Sequence, residues 1–113
     1  MSNVVVIGGG PAGMISAIIA SQNGHKVTLL EKNEKLGKKI YITGKGRCNL
    51  TNDISVNDFF ENVVNNKKFV ISAINAFSPS KTMLFFEENG LRLKVERGNR
   101  VFPVSDKIGR AHV

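Results

Sequence analysis

The chain has one cysteine, Cys48, one tyrosine, Tyr41, and no tryptophan. One cysteine cannot build an internal disulfide framework, and its presence alone fits a reducing cytoplasm. A disulfide-exchanging flavoenzyme needs a second cysteine nearby, so Cys48 reads as an inert thiol. Long apolar runs are also missing: nothing approaches the roughly 20 residues of a membrane-spanning helix. The amino end, MSNVVVIGGG, lacks a basic region and a cleavage-site pattern, so no signal peptide is expected in it. These absences point to the cytoplasm, with no membrane partner. Carboxylates are scarce, 9 against 16 lysines and arginines, for a net charge of +7 over 113 residues. That length suits one small domain with one core.

Much of the positive charge lies in one stretch, Lys32, Lys35, Lys38, Lys39, Lys45 and Arg47, opposed by Glu31 and Glu34. Such a stretch reads as a solvated face, as attraction for a ligand's phosphates, or as a basic nucleic-acid-binding module. Only Tyr41 interleaves with the bases, which disfavours the last reading, and no nucleic-acid partner is expected.

What is present begins with Asn3 to Ile7, a β-branched apolar run typical of a strand buried on both faces. Gly8 to Pro11 breaks it. Ala12 to Asn23 reads as a helix with almost no polar face, hence largely buried, and Gly24 sits where a helix ends. Lys26 to Leu30 reads as a second buried strand. Strand, helix and strand in about 30 residues make a βαβ unit with a parallel sheet. Residues 32–53 read as an extended, ligand-contacting segment with room for one helical turn. Val56 to Asn65 and Lys67 to Phe77 follow as helices. A third runs from the Ser78-Pro79 start to Asn89. In Leu91 to Glu96, apolar Leu91, Leu93 and Val95 alternate with charged residues as in a half-exposed strand, and Arg97-Gly98-Asn99 turns it into Arg100 to Phe102.

Gly8-Gly9-Gly10-Pro11-Ala12-Gly13 fits Gly-x-Gly-x-x-Gly between a strand and a helix, with Glu31 ending the next strand. Gly8 permits the tight turn. Gly10 lets a pyrophosphate approach the backbone, and Gly13 brings helix and strand together. The helix start, at Pro11 and Ala12, offers free N–H groups and a positive dipole to phosphate. Glu31 suits the hydroxyls of a ribose and would repel a 2′-phosphate, which argues against NADP here. A NAD-only dehydrogenase is the alternative, disfavoured because the spacing continues through Ala17 to Gly24 as in FAD-binding signatures.

Further residues narrow the reading: Leu30-Glu31-Lys32-Asn33, Gly37-Lys38-Lys39, the run Ile42-Thr43-Gly44-Lys45-Gly46-Arg47-Cys48-Asn49-Leu50-Thr51-Asn52, and Gly98 to Lys107. Over residues 1–107 the chain resembles the bacterial FAD-binding flavoproteins often labelled aminoacetone oxidase-like, a group with two dinucleotide-binding domains that includes bile-acid double-bond reductases. The resemblance implies a partial Rossmann-type α/β FAD-binding domain: a βαβ unit, then helices and a β-hairpin, with an incomplete parallel sheet. It implies FAD as cofactor, held at its ADP half by Gly8, Gly10, Pro11, Ala12, Gly13 and Glu31. Lys32, Gly37 and Lys39 would line the nucleotide's path, although Lys38 and Lys39 read equally well as solvated. Gly46, Arg47, Cys48 and Asn49 would approach the flavin ring, where Arg47 and nearby N–H groups stabilise reduced flavin. The implied activity is oxidoreduction of a small organic substrate by a longer parent, with NAD(P)H a candidate electron donor. The stretch alone is expected to be inactive and to fold poorly. No general acid, general base or metal site is assigned.

The ending IGRAHV departs from that pattern. Its codons can spell ATC GGA AGA GCA CAC GTC, the start of a sequencing-library adapter, so residues 108–113 are expected to be adapter read-through, with Lys107 already suspect. They are set aside from the fold.

Overall fold

Strands β1 (Asn3–Ile7) and β2 (Lys26–Leu30) pair in parallel, from Asn3 opposite Lys26 to Ile7 opposite Leu30. Helix α1 (Pro11–Gln22) connects them, with Gly10 as its N-cap, Asn23 as its C-cap and Gly24 at φ 85° beyond it. These are the elements of the expected βαβ unit, displaced by a single residue at each end of the helix. The structure is a computed structural model and describes residues 1–42 and 47–105. Gly46, expected at the flavin, and the carboxy-terminal segment 108–113 lie outside the described residues. The chain forms two compact units that divide between residues 46 and 47.

In the first unit the two strands are half-exposed rather than buried on both faces. Val4, Val6, Val27 and Leu29 are partly buried, and α1 packs on the sheet. Val5, Ile7 and Leu30 on the other face are 59%, 85% and 51% exposed. Likewise α1 is not buried as its composition suggested, and none of its residues is inaccessible. The physical reason is the same for both: apolarity on all sides anticipates layers on both sides, and a two-stranded sheet with one helix supplies one layer. After β2, a loop leads to α2 (Lys38–Ile42), a helical turn of the kind the sequence left room for in the basic segment.

The second unit is built on an antiparallel sheet ordered β3-β5-β4, from β3 (Thr51–Asn52), β4 (Leu93–Glu96) and β5 (Arg100–Pro103). The central strand carries the core: Val101 is fully buried and Phe102 nearly so. The turn at Arg97–Asn99 joins β4 to β5, with Gly98 and Asn99 at positive φ. Val95, read as inward-facing, is 47% exposed, while Lys94 and Glu96 are partly buried. An ion-pair cluster draws these two charged side chains inward, as described below.

Three helices complete the unit. In α3 (Val56–Glu61), Ser55 Oγ accepts from the Asp58 N–H, and Asn62 Nδ2 donates back to the Asp58 carbonyl and closes the helix early. α4 (Lys67–Ala76) and α5 (Pro79–Glu88) follow. Ser78 caps α5 by accepting from the Lys81 N–H, with Pro79 at the first helical position as the sequence required. The stretch Lys67–Glu88 has the length and apolar content of a membrane span. It is nevertheless two ten-residue helices, because Phe77 at φ −140°, ψ 73° breaks it. Each piece is about 15 Å long, half of a hydrocarbon core.

Candidate functional site

The first cluster lies where β1 and β2 end. Gly8 adopts φ 103°, a region closed to most residues, and its N–H donates to the Leu30 carbonyl at 2.8 Å. The loop's entrance is thereby pinned to the neighbouring strand. A Cβ on Gly13 would lie 1.8 Å from the Gly8 carbonyl oxygen, so helix and loop touch backbone to backbone. The first helical bond runs from Met14 N–H to the Gly10 carbonyl at 2.9 Å. Pro11 has no N–H, and those of Ala12 and Gly13 form no backbone bond among the described residues. They are the free donors expected of a helix start. A Cβ on Gly10, the residue that caps this helix start, would meet nothing within 4 Å.

Glu31 follows β2 directly. Its Oε1 accepts from the Gly9 N–H, and its Oε2 accepts from both the backbone N–H and the Nδ2 of Asn33, each at 2.8 Å. The bond from the Asn33 backbone, then that from Gly9, holds its carboxyl below the usual carboxylate range. Gly37, buried and at φ 68°, donates its N–H to the Gly9 carbonyl at 2.7 Å. The bonds of Glu31 and Gly37 to Gly9 thus bring these two residues to the Gly8–Gly13 loop, Glu31 being expected there from its spacing and Gly37 from the family resemblance. Lys32 and Lys39 are exposed side chains, while the Lys35 ammonium lies 5.4 Å from the Tyr41 ring centre. The sequence reading missed Gly9 and Asn33. The doubled glycine before Gly10 and an amide two residues beyond the acid were the available signals.

The second cluster belongs to the other unit. Arg47 Nη2 donates to Glu96 Oε2 at 2.6 Å, and Lys94 Nζ stands 3.3 Å from the same oxygen. The Arg47 guanidinium lies 3.8 Å from the Phe102 ring centre and that of Arg100 lies 5.7 Å from it. Arg47 thus fastens the start of this unit to the β4–β5 hairpin. Hydrogen bonding from Arg47 keeps the Glu96 carboxyl below its ordinary value of 4.5. A group depressed on folding stabilises above its unfolded pKa and loses that contribution as pH falls through the folded one. In the whole protein, Glu96→Gln should therefore remove part of the fall in Tm between about pH 5 and 3, where an ordinary carboxylate titrates. Thermal melts across that range check this, and an unchanged slope would refute it.

Cys48 is 6% exposed, and burial pushes its thiol pKa up, as suits an inert group. Asn49 Nδ2 donates to the Thr51 and Val101 carbonyls at 3.1 and 3.2 Å and stitches β3 to β5. A cleft of about 250 Å³ opens among Asn49, Thr51, Asn52, Ile54, Phe59 and Pro79.

A parallel βαβ unit with a glycine turn, free helix-start donors and an acidic residue after the second strand defines a dinucleotide-binding Rossmann domain. Residues 2–110 match the HI0933-like protein Rossmann domain, and the chain belongs to that family of FAD-binding domains. Among curated relatives, the 3-dehydro-bile acid delta(4,6)-reductase of Clostridium scindens is 37% identical over 109 residues, covering 95% of this chain and 26% of that protein. The ribosomal RNA dihydrouridine synthase of Escherichia coli is 44% identical over 50 residues, 44% of this chain and 12% of its own length. The cinnamate reductase of Clostridium sporogenes is 50% identical over 44 residues, 39% and 7% respectively. The chain thus spans about a quarter of the length of the bile-acid reductase and less of the others.

Proposed function

We propose that this chain is the FAD-binding part of an oxidoreductase that acts on a small organic substrate. The observation that carries the reading is the open space at Gly10, at a helix start whose Ala12 and Gly13 N–H groups form no backbone bond among the described residues, with the Glu31 carboxylate bonded to the same loop. A pyrophosphate needs donors, a positive helix end and no intervening Cβ, and these residues fit it. Glu31 keeps acceptor capacity for a ribose hydroxyl. Bound FAD would supply hydride or electron transfer, and the chain's own residues bind and orient it. Lys32, Gly37 and Lys39 lie along the proposed nucleotide path, and Gly46, Arg47, Cys48 and Asn49 belong to the segment assigned to the flavin end. Relatives named as reductases of a bile acid and of cinnamate support an organic substrate, and NAD(P)H is the proposed electron donor. The proposed location is the cytoplasm.

The test is Gly10→Ala in the whole protein. Since a Cβ there meets no protein atom, the variant should fold as the wild type, with unchanged far-UV circular dichroism. It should emerge from gel filtration without flavin absorbance. Normal absorbance would count against the pyrophosphate site.

One observation favours a second reading. The RNA-modifying relative, together with exposed Lys32, Lys38 and Lys39, allows an RNA substrate for the same flavin chemistry. A steep loss of RNA binding with added salt would support it.

A further inference from the structure

We propose that Asn33 is a positioning residue for nucleotide binding, and that with Glu31, Gly9 and Gly37 it forms a clasp that sets the phosphate-binding loop before the ligand arrives. The proposal rests on the FAD site above. A carboxylate offers about four acceptor positions. Protein donors fill three of those of Glu31, so this side chain is not a loose acceptor awaiting a ribose. One oxygen is committed to the loop and the other to Asn33. The side-chain amide and backbone N–H of Asn33 grip Oε2 from two directions, which fixes the plane of the carboxylate. That plane decides where Oε1 meets the Gly9 N–H and where the remaining acceptor position points.

Gly9 is held from its other side as well, because its carbonyl accepts the Gly37 N–H at 2.7 Å. Both polar groups of this one peptide residue are thus bonded to the segment 31–37. Gly9 stands between Gly8, which makes the turn, and Gly10, over which the space is open. Orienting Gly9 therefore orients the backbone that a pyrophosphate would approach. A loop ordered in advance loses less entropy on binding, and the gain appears as affinity. Lys32 is the charged side chain acting on the Glu31 carboxylate, and it too favours the ionised form.

The experiment uses the whole protein, stripped of FAD and retitrated by fluorescence quenching. Asn33→Asp is isosteric, removes the Nδ2 donor and sets two carboxylates together. It should raise the FAD Kd roughly tenfold or more, the scale for a hydrogen bond to a charged group. Asn33→Ala should give a smaller rise, with the Tm preserved. It should also move the acid limb of the Kd–pH profile upward. Binding that needs the Glu31 carboxylate fails as pH falls through its pKa, and loss of the amide bond raises that pKa. A Kd for Asn33→Asp within twofold of wild type would overturn the clasp, as would weaker binding with an unmoved acid limb in Asn33→Ala. The parent reading fails separately: if Gly10→Ala retains flavin, the site itself is wrong. If Gly10→Ala loses flavin while the Asn33 variants bind normally, only the clasp is wrong.

Discussion

Gly13→Ala is expected to destabilise the first unit sharply, and to weaken flavin binding with it. The added Cβ would lie 1.8 Å from the Gly8 carbonyl oxygen, 3.0 Å from its carbon and 3.4 Å from Val6 Cγ1. The nearest obstacle is backbone, so no side-chain rotation relieves it. Nor can Gly8 readily retreat, because its N–H is bonded to Leu30 at 2.8 Å. Overpacking with rearrangement costs about 1–3 kcal/mol, and more where backbone must move. Since whole domains are stable by only about 5–15 kcal/mol, the βαβ unit has little reserve. The expected results in the whole protein are poor soluble yield and a lost or sharply lowered thermal transition. The contrast with Gly10→Ala is diagnostic, because there a Cβ meets open space and only the ligand should be lost. A wild-type Tm for Gly13→Ala would show that the helix and strand do not meet as closely as described.

The second large effect concerns residues 1–113 expressed alone. No cooperative thermal transition and no stoichiometric FAD are expected. Val5, Ile7 and Leu30 leave an apolar sheet face exposed, and half or more of the roughly 1.5–3 kcal/mol that full burial of each would contribute is forgone. Parallel sheets are normally covered on both faces, and this two-stranded one has a helix, α1, on one face only among the described residues. Calorimetry and flavin absorbance decide the matter. A sharp transition with one FAD per chain would show that the stretch is a sufficient domain.

The βαβ unit was legible because its signals are local. β-Branched runs, a glycine break and a helix-ending Gly24 lie within 30 residues and agree with one another. Ser78-Pro79 was legible for the same reason, since a cap is read from adjacent residues. The fold class and the glycine cluster followed from those signals. Burial was harder to read. The apolarity of α1 and of both strands anticipates more layers than these residues contain, so composition overstated how much is covered. Val95 was misassigned because alternation cannot register Arg47, 49 residues from Glu96, drawing the charged face inward. β3 is two residues long and pairs with a strand almost 50 residues away, too short for periodicity to register. The bonds of Asn33 and Gly9 to Glu31 depend on how a loop closes, which spacing alone does not encode.

The exposed sheet face also has a history in time. Its last strand is complete at Leu30, and ribosomes add about 5–20 residues per second. Some 80 further residues of this chain alone therefore occupy roughly 4–16 s of synthesis. Throughout that interval Val5, Ile7 and Leu30 are available to any other nascent chain. Two-stranded, with no partner on either outer edge among the described residues, this nascent sheet can recruit a neighbour's strand. The cell meets this surface first as a substrate for chaperones, and slowing translation before Leu30 should cost less yield than slowing it just afterwards.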